Sequence, residues 1–312
     1  RALAARGDAV SVLQRRPAGL GLPEVLADVA DADAVRDAVA GQDAVVHLAA
    51  KVGYAGTWAE YASANIAGTR SVVDACRATG VGRLVHVSSP SVAHAGSSLV
   101  GAGAGPADPA RARGAYARSK AAAEELALAA NHPDLAVTAI RPHLVWGPGD
   151  QQLIGRIVER ARTGRLVLVG TGAALMDSTF TDNAVAALVA GLDRVEVAAG
   201  RALVVSNGEP RPVAELLTGI CAAAGVPAPH RRVPARLAYA AGLVAEGLGR
   251  IVQREPPMTR FLAEQLSTAH WFDQRETRAV LDWAPAITLD EGLDRLAAAY
   301  RRSRPVSTPV AG

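Results

Sequence analysis

Lysine is close to missing from this sequence. Its 312 residues hold two, Lys51 and Lys120, against 31 arginines. Surface cations are therefore arginines, and a position that keeps lysine is one where a compact ammonium is needed and a planar guanidinium will not serve. Cysteine is as scarce. Cys76 and Cys221 lie in helical patterns and read as two buried thiols with no disulfide, which fits a reducing cytoplasm. Aromatic residues make up 4% of the chain and no basic run is interleaved with them, so nucleic acid is not an expected partner. The net charge of +3 is near neutral for this length. No apolar run is long enough to span a bilayer and no signal peptide is read, so a cytoplasmic protein is expected. The seven histidines show no His-x-x-Glu-His or Cys/His ligand spacing, and no metal site is expected. Without a Gly-x-Ser-x-Gly elbow or a Gly-Lys-Ser/Thr loop, hydrolase and nucleoside-triphosphatase readings drop out.

What is present is alternation. Half of the residues are hydrophobic, enough for one large α/β unit or two small domains. Residues 1–8 read as the end of a helix closed by Gly7, and 9–13 as a strand. The loop Gln14-Arg15-Arg16-Pro17 and a short apolar step ending at Asp28 follow. A helix over 31–39 leads into the apolar run 44–50, of the kind buried on both faces of a sheet. Helix 61–79, strand 82–88, a glycine-rich loop over 96–105, a second long helix and strand 135–142 continue the series. Strands alternating with helices at this spacing predict an α/β fold with a Rossmann-type, doubly wound parallel sheet.

Beyond Asp150 the pattern loosens, apart from a helix from Asn183 and a strand over 201–205; from Pro210 helices dominate. Residues 1–145, joined again by 179–206, are expected to form the main domain. Residues 146–178 and 207–312 are expected to form a smaller, mostly helical substrate lobe over the carboxyl ends of the strands, where open α/β sheets bind ligands. The apolar stretch 234–252 reads as an amphipathic helix pair of that lobe. It is either plain core or a contact surface for a greasy substrate, a membrane face or a partner enzyme.

The second long helix opens on Tyr116-Ala-Arg-Ser-Lys120. Random placement of five tyrosines and two lysines would produce this spacing roughly 0.03 times. Side chains four residues apart on a helix share a face, so the phenol lies about one turn from the ammonium. A fixed cation pulls a phenol down from its usual ~10, which makes Tyr116 a candidate proton donor and Lys120 its modulator.

Further segments fall in a fixed order: Asp28-Val29, His47-Leu48-Ala49-Ala50, Asn65-Ile-Ala-Gly-Thr69, Val87-Ser88-Ser89-Pro90-Ser91-Val92, the Tyr116/Lys120 pair, Arg141-Pro142-x-x-x-Trp146-Gly147-Pro148-Gly149-Asp150, Asp177-x-x-Phe180-x-Asp182-Asn183 and Leu281-Asp282-Trp283. Each is weak alone. As an ordered set they resemble the extended short-chain dehydrogenase/reductase family over essentially the whole chain. Pro90-Ser91-Val92-Ala93-His94 and His270-Trp271-Phe272-Asp273 are most similar to its 3β-hydroxysteroid dehydrogenase-like branch.

The resemblance implies an NAD(P)-dependent oxidoreductase that interconverts a ketone and a secondary alcohol on a lipid-like substrate, a 3-keto acid or a sterol-like compound. It implies that Tyr116 is the acid/base, that Lys120 holds the nicotinamide ribose and lowers the Tyr116 pKa, and that Ser89 binds the carbonyl oxygen. Ser88 takes that last role if the register is off by one. Ser91 and Trp146 are further substrate candidates, and Lys51 is either a contact for an anionic substrate group or an ordinary loop lysine. Asp28 and Val29 resemble the adenine-contacting pair, and Leu48, Ala49 and Ala50 the strand end lining the cofactor. Pro142, His143 and Leu144 fall where the chain passes the nicotinamide, and Asn65 matches a structural helix asparagine near the site.

Proteins of this fold that prefer NAD place an acid at the end of the second strand. This chain has Gln14, Arg15 and Arg16 there, which suits a 2′-phosphate and points to NADP(H), with NAD(H) as the alternative and solvated loop charges as the plainer reading of the two arginines. One departure stands out. The family begins with a strand, a Gly-x-x-Gly-x-x-Gly turn and a helix that cradle the pyrophosphate. Only that helix's end is present, so about twenty residues are expected to be absent, with a gap in the sheet where their strand would run. Gly101-Ala-Gly103-Ala-Gly105 is read as loop and not as that turn. A nucleotide-sugar epimerase or dehydratase holding NAD, and a non-catalytic NADP-binding protein, are the competing readings. The expected partner is a small hydrophobic keto or hydroxy substrate. A homodimer, enzymes of a lipid pathway and a peripheral membrane contact stay open.

Overall fold

The first helix of the computed structural model, α1 (Ala2–Arg6), ends where Gly7 turns left-handed at φ 101°, a conformation open to a residue without a Cβ. The structure describes residues 1–53, 56–94, 96–252 and 260–303, so parts of the expected lobe, 253–259 and 304–312, lie outside the described residues. After α1 come β1 (Val12–Gln14), β2 (Glu24–Leu26), and α2 (Ala32–Val39), the last capped by the Asp31 side chain. β3 (Val45–His47), α3 (Trp58–Tyr61), a π-helical turn (Ala62–Ala67) and α4 (Gly68–Thr79) lead to β4 (Arg83–Val87). β5 (Leu99–Ala102), α5 (Gly114–Ala129), β6 (Ala136–Pro142), β7 (Val145–Trp146), α6 (Ile154–Arg162), β8 (Val167–Val169), β9 (Leu175–Met176) and β10 (Thr179–Phe180) follow. The rest comprises α7 (Thr181–Asp193), β11 (Ala202–Val205), β12 (Arg211–Pro212), α8 (Val213–Ala224), β13 (Arg231–Val233), α9 (Ala235–Val252), α10 (Arg260–Ser267), β14 (His270–Phe272), α11 (Arg275–Leu281) and α12 (Leu289–Ser303).

β3, β4, β6 and β11 lie side by side, all parallel. Leu84, Val85, Val137 and Ile140 in the central strands are fully buried, as continuous apolar runs require when helices cover both faces. α2 and α4 bring Val35, Val72, Val73 and Cys76 to one face, and α7 brings Ala187 to the other, where Val85, Ile140 and Leu203 pack. This is the predicted α/β sheet. β1 and β2 form a separate parallel pair, and β1 makes no ladder with β3. Between them lies a cavity of about 520 Å³, walled by Val12, Val35, Val45 and Val72. It occupies the place where the sequence predicts a gap.

Four details differ from expectation. The glycine-rich loop contains β5, which pairs with β14 far along the chain. Gly101 sits at φ 59° there, and the Trp271 ring comes within 2.9 Å of where a Cβ would stand, so the glycine is explained by close approach as well as by φ. Stretch 234–252 is one helix, α9, paired with α10 and not folded on itself. Helix 61–79 is interrupted by the π turn. Finally, Val280, Leu281 and Trp283, expected in the lobe, pack on the main sheet beside Val85 and Ile140. A second core gathers Trp146, Ile154, Phe180, Leu217, Ile220 and Leu296. Cys76 and Cys221 are free, buried thiols, and among the described residues no helix is long and apolar enough to cross a membrane.

Candidate active site

Helix α5 is rich in alanine, the best helix former. Its buried Ala117, Ala121, Ala123 and Ala127 let it lie close against its neighbours. The i+4 spacing then stacks Tyr116, Lys120 and Glu124 on one face. Lys120, 3% exposed, donates from Nζ to the Val87 carbonyl at 2.6 Å. Burial lowers its pKa from 10.5 to about 8, against an upward pull from the Glu124 carboxylate. The ammonium is thus held at the last residue of β4.

Two residues further, the Ser89 side chain lies by the Tyr116 phenol and pulls its pKa down against burial. Ser89 Oγ also lies 2.9 Å from Ser91 Oγ and accepts from the Ser91 N–H at 3.3 Å, capping the short helical turn Pro90–Ala93. Ser88 points elsewhere: its hydroxyl is buried without a hydrogen-bond partner and its N–H bonds the Ile140 carbonyl at 2.7 Å. Tyr116, Lys120 and Ser89 therefore converge on the end of one strand, and Ser89 is the serine that faces the phenol. The Tyr116 pKa is raised, by burial first, with Ser89 opposing it, and the Lys120 ammonium is turned to the Val87 carbonyl.

Asn65 ties this centre to its surroundings. Its side chain accepts from the Lys51 N–H at 2.6 Å and donates to the Lys51 carbonyl at 3.1 Å and to Ser119 Oγ at 2.8 Å. Ser119 in turn bonds the Tyr116 carbonyl at 2.8 Å. The π turn places Asn65 for this clasp, a deviation common near functional sites. The Asn65 carbonyl accepts from Thr69, whose hydroxyl lies 3.0 Å from His47 Nε2.

The expected cofactor residues divide. Gln14, Arg15, Asp28, Val29, Leu48, Ala49 and Ala50 all line the cavity between β1 and β3, as does the substrate candidate Lys51, while Arg16 does not. Arg15 lies 4.0 Å from Asp28, both side chains exposed. The family's group is a nicotinamide dinucleotide, and the side chains here offer it polar partners. Gln14 Nε2 is a buried donor with no acceptor, and a guanidinium and a carboxylate stand beside it. At the far end of β6, His143 is buried, its ring 5.0 Å from Phe272 and 6.4 Å from His270. Burial takes its pKa down to about 4, with the Asp177 backbone pulling it the other way. Pro142 is half-buried, and Leu144, at φ 44°, packs against the lobe core.

Two substrate candidates have other partners. Trp146 is 1% exposed, stacks edge-on to Phe180 and donates to Ser178 Oγ at 3.0 Å; it is a core residue of the lobe. Lys51 lies over the Tyr61 ring at 5.3 Å and 3.8 Å from Glu60, which favours the loop-lysine alternative. The sequence reading missed the buried pair Glu124–Arg141, whose guanidinium Nε bonds Glu124 Oε2 at 2.8 Å. A signal was there: an arginine inside the apolar strand 135–142 needs a buried acid, and Glu124 continues the Tyr116/Lys120 face.

Comparison with known proteins agrees with this geometry. Residues 18–235 match the 3-beta hydroxysteroid dehydrogenase/isomerase family. The 2-alkyl-3-oxoalkanoate reductase of Stenotrophomonas maltophilia is 44% identical over 286 residues, covering 89% of this chain and 87% of that protein. The reductase of the same name from Shewanella oneidensis is 38% identical over 292 residues, covering 89% and 76%. Among solved structures, MoeE5 in complex with UDP-glucose and NAD matches with a TM-score of 0.73 at 25% identity, over 97% of this chain and 93% of that one. The chain belongs to the 3-beta hydroxysteroid dehydrogenase/isomerase family and is an NAD(P)-dependent oxidoreductase.

Proposed function

We propose that this protein reduces the ketone of a lipid-like 3-keto acid, with NADP(H) preferred over NAD(H), and that Tyr116, Lys120 and Ser89 carry the chemistry. The single observation behind this is the meeting of phenol, hydroxyl and ammonium at the end of β4. The dinucleotide, when bound, supplies the hydride. Tyr116, kept protonated by burial, gives its hydroxyl proton to the carbonyl oxygen of the substrate. Ser89 donates a second hydrogen bond to that oxygen and shares the negative charge that develops there. Lys120 would hold the ribose hydroxyls of the cofactor and, as a cation, would stabilise the phenolate left after proton transfer.

Gln14, Arg15 and Asp28 would hold the adenosine end, the exposed Arg15 facing a 2′-phosphate. The two 2-alkyl-3-oxoalkanoate reductases support the substrate class. The test is oxidation of NADPH by 2-alkyl-3-keto acids of increasing chain length. Turnover that rises with chain length is expected; a protein that binds NADPH and turns over none of the panel would remove the proposed activity.

A further inference from the structure

Lys120, Glu124 and Arg141 form a buried row of alternating charge, with exposures of 3%, 1% and 0%. Arg141 Nε and Nη2 both bond the Glu124 carboxylate, and its Nη1 donates to the Ala104 carbonyl in the segment that leads into α5. Such a row is costly to bury and stays together only where each charge has a counter-charge and satisfied hydrogen bonds. Glu124 is the sole anion of the row and stands between two cations. One cation reaches it with a planar fork and the other lies one helical turn away, at the end of β4.

We propose that Glu124 and Arg141 are positioning residues for the reaction centre: the ion pair docks α5 on β6 and sets how firmly Lys120 holds its proton. The inference rests on the reading of Lys120 as part of that centre, but its own content is electrostatic. Removing Glu124 leaves Lys120 with Arg141 and the buried rings of His47 and His86, all of which oppose its charge, so its proton should be lost more easily. Removing Arg141 leaves Glu124 with Lys120 as its remaining charged partner in the row, so the proton should be held more tightly. A mere clamp between helix and strand would give two variants that loosen alike, not two that shift in opposite directions.

The chain is unusually suited to the test, because it has only two lysines. With lysine isotope-labelled at Cε, the signals number two, and Lys51→Arg assigns them. The Lys120 signal, titrating near pH 8 in the parent protein, should move down by about one unit in Glu124→Gln and up in Arg141→Gln, while Glu124→Asp stays near the parent. If Glu124→Gln does not fold, the double variant Glu124→Gln/Arg141→Gln leaves no unpaired guanidinium, with Lys120 the one remaining charge of the row, and a smaller downward shift is expected. A Lys120 titration unchanged in these variants, or shifted the same way by both single substitutions, overturns the proposal. The pH–rate profile separates the two claims. Rates that follow the shifted titration uphold both, whereas a shifted titration with an unshifted profile upholds the ion pair's role and removes Lys120 from the mechanism.

Discussion

Along α5 the charged groups are buried and partnered, whereas along the β1–β2 edge they stand in water. Arg141 and Glu124 have side chains 0% and 1% exposed; Arg15 and Asp28, the pair at the cofactor edge, are 73% and 49% exposed. The first pair is bidentate, the second a contact at 4.0 Å. Attraction between charges grows as water is excluded, and an exposed pair is screened to little net value. The contrast separates two settings. The groups proposed for proton transfer lie in the interior, where positions and charges cannot relax, and the arginines proposed to meet the dinucleotide stand exposed at the rim.

The largest expected effect tests the interior side. Tyr116→Phe should cut kcat by about 10²–10⁴-fold while cofactor affinity, measured by fluorescence titration, stays nearly intact; a variant with most of its rate would take the phenol out of the mechanism. Next, Arg141→Ala should cost about 3–5 kcal/mol of stability by urea denaturation, because a buried carboxylate loses its partner. Removing the Arg15–Asp28 contact should cost well under 1 kcal/mol. Equal costs would erase the distinction between the two regions.

Acid offers a second probe of the interior. Burial holds His47 at about 3, His143 at about 4 and His270 at about 3, all below the ordinary 6.5. Once the pH falls below 6.5 the unfolded chain takes up protons that the folded one refuses. Their contribution is therefore intact above that pH and lost on the way down towards pH 4, at up to about 1.4 kcal/mol per pH unit for each histidine. Tm should drop steeply between pH 6.5 and 5, and a flat profile would mean these rings are protonated or open to water. The smallest effect belongs to the rim. Arg15→Ala with Arg16→Ala should raise the KM for NADPH about tenfold, with little change for NADH and none in Tm. Equal losses with both dinucleotides would assign the arginines to the diphosphate, and no loss with either would take them away from the cofactor.

Some of this was legible before any coordinates. The apolar runs around Val46, Val85 and Ile140 announce strands covered on both faces, and Tyr116 and Lys120 share a helix face by spacing alone. These signals are local, so neighbouring residues carry them. The β5–β14 pairing was not legible, because Gly101 is explained only by the Trp271 ring that packs on it. Nor was the π turn, which serves the Asn65 contacts with Lys51 and Ser119. Trp146 read as a substrate contact because it sits in a motif beside the site; its burial under Phe180 depends on how the lobe folds back.

By itself, the order of residues determined the parallel sheet, the helix that carries Tyr116 and Lys120 on one face, and the use of arginine almost everywhere a cation stands. These follow from periodicity and from side-chain chemistry, which act over a few residues. Only the tertiary structure decided that Ser89 and not Ser88 lies by the phenol, that Glu124 is paired with Arg141 in the interior, and that burial raises the Tyr116 pKa. Those outcomes depend on how much water is excluded and which atoms are brought within hydrogen-bond distance, and both are properties of the packed molecule.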